Sequence, residues 1–286
     1  MRMRLWLPAA VVLIGVPIGL AQFKVESRLV EVYAAVYDRK GNYIEGLDKE
    51  RFQVTDGDQP QSIVSFESTS EDINCAILLD TTGSMQEALG ATRNAVSALL
   101  DQMREGDSVG VFGFNASVTT LQDFTTDKAA AKRAVLRIRA SGRTALFDAI
   151  AEVSQEIAAK DGKKAIVLFT DGDDNASAIH PDAAVRRALK TGVPIYAIAE
   201  GEATTSDALL KQLESLSAQT GGVCYRARSP KDIARVFVDI QNALKHLYLI
   251  SYKPPRADEG KWRPIRVAVA GMPDVTIRAK QGYFPN

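Results

Sequence analysis

Cysteine and histidine, which commonly build structural and catalytic sites, are scarce in this chain of 286 residues, with two of each. Cys75 and Cys224 are too few for a disulfide framework, and each lies in an apolar run typical of a strand. We therefore expect two buried free thiols, with a single disulfide between them as the alternative. His180 precedes Pro181 at a helix start and His246 ends a helix, so neither has the spacing of a metal ligand or a triad member. The chain also has no net charge. Without a basic field to attract phosphates, we do not expect it to bind nucleic acid.

The amino-terminal segment has the composition of a secretory signal peptide. Arg2 and Arg4 precede an apolar run at 5–21, which ends in the small residues Gly19 and Ala21. We therefore expect cleavage after Ala21 and an exported product that is periplasmic, on the cell surface or secreted. An uncleaved anchor stays open as the alternative, because the run approaches the roughly 17 residues that a membrane-spanning helix needs. Contact with a membrane is expected only through such an uncleaved segment.

The middle of the chain, residues 72–246, alternates strand-like apolar runs with segments of helical periodicity. In the helical segments, such as 85–103 and 146–157, apolar side chains recur at intervals of three and four residues. This alternation predicts an α/β fold, a doubly wound, mostly parallel six-stranded sheet with helices on both faces, similar to the Rossmann fold. Only Ala116 separates two of the runs, which requires a hairpin and an antiparallel edge strand. The predicted strands are 73–80, 107–115, 117–125, 164–171, 194–200 and 223–228.

The flanks on either side of this middle part contain strand patterns without helical periodicity. Neither flank is long enough to cover both faces of a sheet, but together they supply about six strands, enough for a small sandwich. We therefore predict that the α/β domain is inserted into an all-β sandwich that both ends of the chain build. The predicted units are a signal peptide at 1–21, the first half of the sandwich at 22–70, the α/β domain at 71–246 and the second half of the sandwich at 247–286.

Oxygen-bearing side chains follow two of the predicted strands where each strand ends. Asp80, Thr82 and Ser84 alternate after an apolar run, and Gly83 is expected to let the chain turn so that their oxygens converge. Asp171 follows a second apolar run in the same way. The carboxyl ends of parallel strands border the crevice in which open α/β sheets bind ligands. This arrangement is suited to a hard cation.

The segment 80–84, Asp-Thr-Thr-Gly-Ser, resembles the first part of the metal-ion-dependent adhesion site of von Willebrand factor type A domains. The family pattern continues with a distant threonine and with an aspartate after the fourth strand, and Thr144 and Asp171 occupy these positions. The metal-site residues that the resemblance implies are Asp80, Thr82, Ser84, Thr144 and Asp171. Thr82 stands where serine is commoner and keeps the hydroxyl.

The flanks are similar to the von Willebrand factor A-related proteins described from acidobacteria. The similarity rests on 36–41, on the closing stretch 278–284 and on positions between 46 and 66. It covers nearly the whole chain after the signal peptide. Since that family has no established activity, the similarity implies an architecture rather than a function.

The expected cofactor is Mg²⁺, with Mn²⁺ or Ca²⁺ as substitutes. Mg²⁺ prefers near-octahedral oxygen ligands and keeps several waters, so hydroxyls with few carboxylates suit it. Two carboxylates leave a doubly charged ion able to accept one more anionic oxygen, and the resemblance implies that an Asp or Glu of a partner protein supplies it. We therefore expect an exported, non-enzymatic adhesion and protein-binding module without catalytic residues. The sequence does not indicate an oligomeric state.

Other interpretations stay open beside this one. Segment 80–84 is also similar to the phosphorylated segment of P-type ATPases in the haloacid dehalogenase group, which would make Asp80 the nucleophile of a Mg²⁺-dependent phosphotransfer enzyme. The chain could instead be a structural component of an envelope assembly with a vestigial metal site, and each motif residue alone could be a helix cap or turn residue. Residues 173–175 are interpreted as a solvated loop or an auxiliary cation site, and Glu200 and Glu202 as solvent-facing.

Overall fold

The computed structural model describes residues 29–68, 71–255 and 260–285. This part of the chain contains a central sheet of six strands and two antiparallel sheets of four strands each. The middle of the chain builds the central sheet, and its two flanks build the others. The predicted fold class, an α/β unit inserted into an all-β sandwich, is confirmed.

The described residues form fourteen strands and six α-helices, numbered in chain order. The strands are β1 (Val30–Tyr37), β2 (Phe52–Asp56), β3 (Gln59–Gln61), β4 (Ile63–Glu67), β5 (Ile73–Asp80), β6 (Ser108–Phe114), β7 (Val118–Thr125), β8 (Lys163–Thr170), β9 (Ile195–Ala199), β10 (Cys224–Arg226), β11 (Tyr248–Tyr252), β12 (Arg263–Val269), β13 (Thr276–Ala279) and β14 (Gly282–Tyr283). The helices are α1 (Leu89–Gln102), α2 (Lys128–Leu136), α3 (Leu146–Ala158), α4 (Pro181–Thr191), α5 (Asp207–Thr220) and α6 (Pro230–Lys245). Short 3₁₀ turns lie at Lys49–Arg51, Gly83–Gln86 and Gly201–Thr204.

The central sheet has the strand order β10-β9-β8-β5-β6-β7. β5 pairs in parallel with both β6 and β8, whereas β7 runs antiparallel to β6 and forms the predicted edge. β5 and β8 are inner strands and are buried along nearly their whole length, as expected where helices cover both faces. Their carboxyl ends therefore lie side by side at one edge of the sheet.

Side chains that alternate along β5 divide the core of the α/β unit into two layers. Cys75, Ile77 and Leu79 belong to a cluster with α1, α2 and α6. Ala76 and Leu78 belong to a second cluster with α3, α4 and α5. Because successive strand residues point to opposite faces, the two clusters place helices on both faces of the sheet, as predicted.

The two outer sheets have the orders β13-β1-β11-β4 and β14-β12-β2-β3 and share one core, which includes Val32, Val54 and Ile250. β1 pairs directly with β11, so both ends of the chain contribute to the same sheet. The sequence patterns missed β3 and β14. β3 contains Pro60, which an edge strand tolerates, and β14 has two residues, too few to show a strand pattern.

Two details differ from the predictions. The helical pattern that starts at Met85 in the sequence begins with the 3₁₀ turn Gly83–Gln86, and α1 starts only at Leu89.

Both thiols are free, but Cys75 is buried and Cys224 only partly so, because β10 is an edge strand. β8 and β9 lie between the two strands that carry the cysteines.

The predicted signal peptide at 1–21 lies outside the described residues. Among the residues that the structure does describe, no helix combines the length and the apolar character that crossing a membrane requires. The predicted limits of the units, at 70/71 and 246/247, stay a prediction.

Candidate metal centre

Asp80 is the last residue of β5 and is 1% exposed. Hydrogen bonds reach both of its carboxylate oxygens. Thr82 donates to Oδ1 from its backbone N–H at 3.0 Å and from its hydroxyl at 2.6 Å. The hydroxyl of Thr170, at the end of β8, donates to Oδ2 at 2.9 Å. These bonds fix the carboxylate where β5 and β8 end together.

Thr82 and Ser84 turn back over the end of β5. Their hydroxyl oxygens lie 3.0 Å apart, next to the Asp80 carboxylate that Thr82 contacts. The predicted role of Gly83 is wrong in detail, because its φ is not positive and a Cβ atom there would meet nothing within 4 Å. The turn is a 3₁₀ turn, a right-handed conformation open to any residue. The predicted convergence of the three side chains is nevertheless present.

Thr144 is 2% exposed and lies in the loop before α3. Backbone hydrogen bonds attach this loop to the end of β5, where Ser141 N–H donates to the Thr81 carbonyl oxygen at 2.7 Å. They also attach it to the loop after β8, where Thr144 N–H donates to Asn175 Oδ1 at 3.0 Å. Thr144 does not cap α3, because Ala145 is the N-cap residue and no side chain makes the capping bond. The backbone at Thr144 is thus attached both to the end of β5 and to the loop after β8.

Asp171 follows β8 directly and is 3% exposed. Gly172 turns the chain with a φ of 81°, a conformation that glycine adopts without strain. A Cβ atom at this position would lie 3.2 Å from Ala203 Cβ, so the packing also favours glycine. Gly172 N–H donates to Thr170 Oγ1 at 3.0 Å. Thr170 therefore connects the Asp171 loop to Asp80.

The acidic loop after Asp171 has mostly structural contacts. Asp174 Oδ2 accepts hydrogen bonds from the Ser177 hydroxyl at 2.5 Å and from Phe147 N–H at 3.2 Å. Asn175 holds the backbone of Thr144, as described above, whereas Asp173 is exposed. Asp173 and Asn175 are exposed, so the interpretation of a solvated loop applies to these two residues and not to Asp174.

The Asp80 carboxylate is affected by its burial and by the charge of Asp171. Burial raises the pKa of Asp80 to about 6, and the negative charge of Asp171 adds to the rise. The hydrogen bonds from Thr82 and Thr170 oppose it by stabilising the charged form. A cation placed at this edge of the sheet would remove the repulsion between the two acids.

Glu200 is a third acid at the same edge of the sheet, and the interpretation of this residue as solvent-facing is wrong. Glu200 is 2% exposed, whereas Glu202 is exposed. Burial raises the pKa of Glu200 to about 7, with contributions from the charges of Asp80 and Asp171. A signal was present, because Glu200 directly follows the apolar strand β9 just as Asp171 follows β8.

This set of side chains fits a hard divalent cation. It offers two buried carboxylates and three hydroxyls, all oxygen donors of the kind that Mg²⁺ prefers. Within the described ranges, no group of three or more His, Cys, Asp or Glu side chains is arranged to hold a metal ion. The ligand set of Asp80, Thr82, Ser84, Thr144 and Asp171 stays a prediction.

Comparison with known proteins identifies the family of the central unit. The family model described as the von Willebrand factor type A domain matches residues 74–239, more than half of the chain. A UPF0353 protein of Mycobacterium avium is 27% identical over 203 residues, which cover 59% of this chain and 59% of that protein. The chain thus spans about three fifths of the length of the curated relatives that it matches.

Solved structures share the fold. A von Willebrand factor type A protein from Catenulispora acidiphila has a TM-score of 0.54 at 14% identity, over 91% of this chain and 75% of that chain. The corresponding domain of a type V pili tip protein from Porphyromonas gingivalis has a TM-score of 0.51 at 14% identity, over 61% of this chain and 95% of that one. At these identities the likeness shows the fold alone. The match to the family model, by contrast, establishes that this chain belongs to the von Willebrand factor type A domain family.

Proposed function

We propose that this chain is a metal-dependent protein-binding module of the adhesion type. Type A domains typically act as non-enzymatic interaction modules, and one structural neighbour is a domain of a pilus tip protein. The observation that carries the proposal is the convergence of Asp80, Thr82 and Ser84 at the end of β5, beside Asp171 at the end of β8.

The proposed ion is Mg²⁺ or Mn²⁺, with Ca²⁺ as a weaker substitute. Thr82 and Ser84 would bind it through their hydroxyls, and Thr144 directly or through water. Asp80 and Asp171 would bind directly or by hydrogen bonds to water on the ion. When bound, the ion supplies a positive centre that accepts a further anionic oxygen.

The proposed ligand of that centre is the carboxylate of an Asp or Glu on a partner protein. The buried charges of Asp80 and Asp171 repel an approaching anion, so we expect capture to depend on the metal. The hydroxyls are neutral and add no charge, and Mg²⁺ keeps coordination positions that are filled by water and that a carboxylate can take. The site therefore keeps its attraction for one more anionic group.

The phosphotransfer alternative has no structural support at Asp80. Its carboxylate is 1% exposed and accepts hydrogen bonds on both oxygens, so it is not presented as a nucleophile. A vestigial site is also disfavoured, because all five positions retain oxygen-bearing side chains and the three side chains at the end of β5 still converge.

We also propose that the module acts outside the cytoplasm, following the predicted signal peptide at 1–21. The pilus tip neighbour is consistent with such a location. Mass spectrometry of the chain expressed with its leader in a secreting host should find an amino terminus at Gln22. An intact terminus at Met1 would favour the uncleaved anchor instead.

Calorimetric titration of Mg²⁺ and Mn²⁺ into the chelator-stripped mature chain tests the metal site. We expect one binding site that Asp80→Ala and Thr144→Ala both abolish. Matched controls are Asp58→Ala and Thr119→Ala, which alter exposed residues of the same types away from the candidate site and should bind as the unmodified chain does. Unchanged binding in Asp80→Ala and Thr144→Ala would overturn the assignment.

The same titration with acetate as a carboxylate probe tests ligand capture. If the ion accepts a carboxylate, acetate should tighten Mn²⁺ binding, and by linkage acetate should bind only when metal is present. An Mn²⁺ affinity that acetate leaves unchanged would contradict the proposed capture of a carboxylate.

A further inference from the structure

We propose that Glu200 supplies a third negative charge to this metal centre and strengthens its hold on the cation from just outside the ring of ligands. The proposal rests on the proposed metal site and adds a residue that the five-residue pattern does not contain. It also fits the finding that the described acids do not form a three-carboxylate ligand cluster, since Glu200 is not placed as a direct ligand.

The backbone places Glu200 at the same edge of the sheet as the candidate ligands. It follows β9, which pairs in parallel with β8, and its N–H donates to the Thr170 carbonyl oxygen at 3.0 Å. At the next residue, Gly201, a Cβ atom would lie 3.2 Å from Asp171 Cβ. The segment that carries Glu200 thus packs against Thr170 and Asp171.

The side chain of Glu200 is buried but poorly satisfied. Its Oε2 lies 3.0 Å from the hydroxyl of Thr92 on α1, and no donor among the described residues reaches Oε1. The Thr92 hydroxyl also lies 3.0 Å from the Ala88 carbonyl oxygen. A hydroxyl has a single hydrogen to donate, so even this one bond to Glu200 is shared.

Among the described residues, the charges that shift the pKa of Glu200 do not compensate its own charge. The charged groups that shift its pKa are Asp80 and Asp171, and both are negative. A buried carboxylate with one unpaired oxygen and only acidic neighbours is costly unless a positive charge lies close by. A divalent cation between the ends of β5 and β8 would supply that charge and would be held more tightly in return.

Removing this charge without changing the shape of the side chain tests the inference. We expect Glu200→Gln to raise the Kd for Mn²⁺ by at least about tenfold, which is the loss expected, even at the dielectric constant of water, when a full charge is removed roughly 6 Å from a doubly charged ion. Glu202→Gln is the matched control, because it makes the same change at an exposed position two residues away. Glu200→Asp keeps the charge and should retain most of the affinity.

Thermal unfolding separates a role in metal binding from a structural one. Glu200→Gln should raise Tm in the presence of chelator, because it removes a buried unpaired charge, and should reduce the gain in Tm that Mn²⁺ produces. If the substitution shifts Tm equally with and without Mn²⁺, the role of Glu200 is structural and the inference fails.

The failure of this inference can be told apart from the failure of the metal site. If Asp80→Ala abolishes Mn²⁺ binding while Glu200→Gln binds as tightly as Glu202→Gln, Glu200 has no role and the site stands. Equal losses in Glu200→Asp and Glu200→Gln would show that shape, rather than charge, matters and would also overturn the inference. If the unmodified chain binds no Mn²⁺, both proposals fall.

Discussion

Thr170 is the residue that connects the parts of the candidate site. Its hydroxyl donates to Asp80 Oδ2 and accepts the N–H of Gly172, and its carbonyl oxygen accepts the N–H of Glu200. One fully buried residue therefore connects the ends of β5 and β8 through its side chain and the ends of β8 and β9 through its backbone. The five-residue family pattern does not include it, because its contribution is to position other residues rather than to bind the ion.

Thr170→Val should destabilise the protein and weaken Mn²⁺ binding. The change keeps the shape but leaves the Gly172 N–H and one Asp80 oxygen without a partner, which costs about 1 to 3 kcal/mol in the free energy of unfolding. Urea denaturation and calorimetric titration measure the two effects. Thr119→Val, at an exposed position on β7, is the control and should change neither by a measurable amount. Equal behaviour of the two variants would contradict the positioning role.

At the scale of elements, sequence patterns predicted the strands, helices and hairpin, because these depend on residues that are close together in the chain. The alternation of apolar runs and helical spacing predicted the central sheet, and the single residue Ala116 between two runs predicted the β6–β7 hairpin. Asp80 and Asp171 were placed at strand ends for the same reason. Glu200 follows β9 as Asp171 follows β8, so the same pattern indicates its place at this edge, but its contact with Thr92 on α1 involves a distant part of the chain. The backbone attachment of Thr144 through Asn175 is likewise a contact between loops that no local pattern contains.

The helix cap at the amino terminus of α6 is a local feature whose contribution to the free energy of unfolding can be measured. Ser229 lies directly before Pro230, a pair typical of a helix start, and Ser229 Oγ accepts a hydrogen bond from Asp232 N–H at 3.3 Å. Ser229→Ala should therefore lower the free energy of unfolding by about 1 kcal/mol, while Ser229→Gly should cost less. Urea denaturation of both variants measures the difference. A larger loss in the glycine variant would show that capping is not what Ser229 contributes.

At the scale of the whole molecule, the sandwich attaches at the amino end of the central strands. Lys164, near the start of β8, donates its N–H to the Tyr33 hydroxyl at 3.0 Å, and its Nζ lies 3.3 Å from Glu31 Oε2. The candidate metal centre lies at the opposite end of the same strands, roughly 23 Å away for a strand of eight residues. These contacts between the sandwich and the type A unit therefore lie at the end of β8 opposite the candidate metal centre.

Lys280 is a buried charge at this junction, and its titration predicts a pH dependence. It is 4% exposed and lies against the carboxyl ends of α4 and α5, where Cβ atoms at Gly192 and Gly221 would contact it. Burial lowers its pKa from 10.5 to about 8. Between these values the unfolded chain binds more protons than the folded one, so the contribution of Lys280 to stability rises with pH across this window.

Lys280→Met should remove that part of the pH dependence. The rise in the free energy of unfolding between pH 8 and pH 10 should be smaller in the variant than in the unmodified chain, by up to about 3 kcal/mol. Denaturation in urea at both pH values measures this, with Lys253→Met, at an exposed position, as the control. Parallel pH profiles for Lys280→Met and the unmodified chain would show that Lys280 is not titrating in this range.

The most direct test of the central claim is a crystal structure of the mature chain grown with Mn²⁺, with data collected at the Mn absorption edge. We predict one anomalous peak at the carboxyl edge of the central sheet, in contact with the hydroxyls of Thr82 and Ser84 and beside Asp80 and Asp171. The absence of a peak there, at an Mn²⁺ concentration that saturates calorimetric binding, would contradict the proposed metal centre. A peak only at Asp173 would contradict it equally.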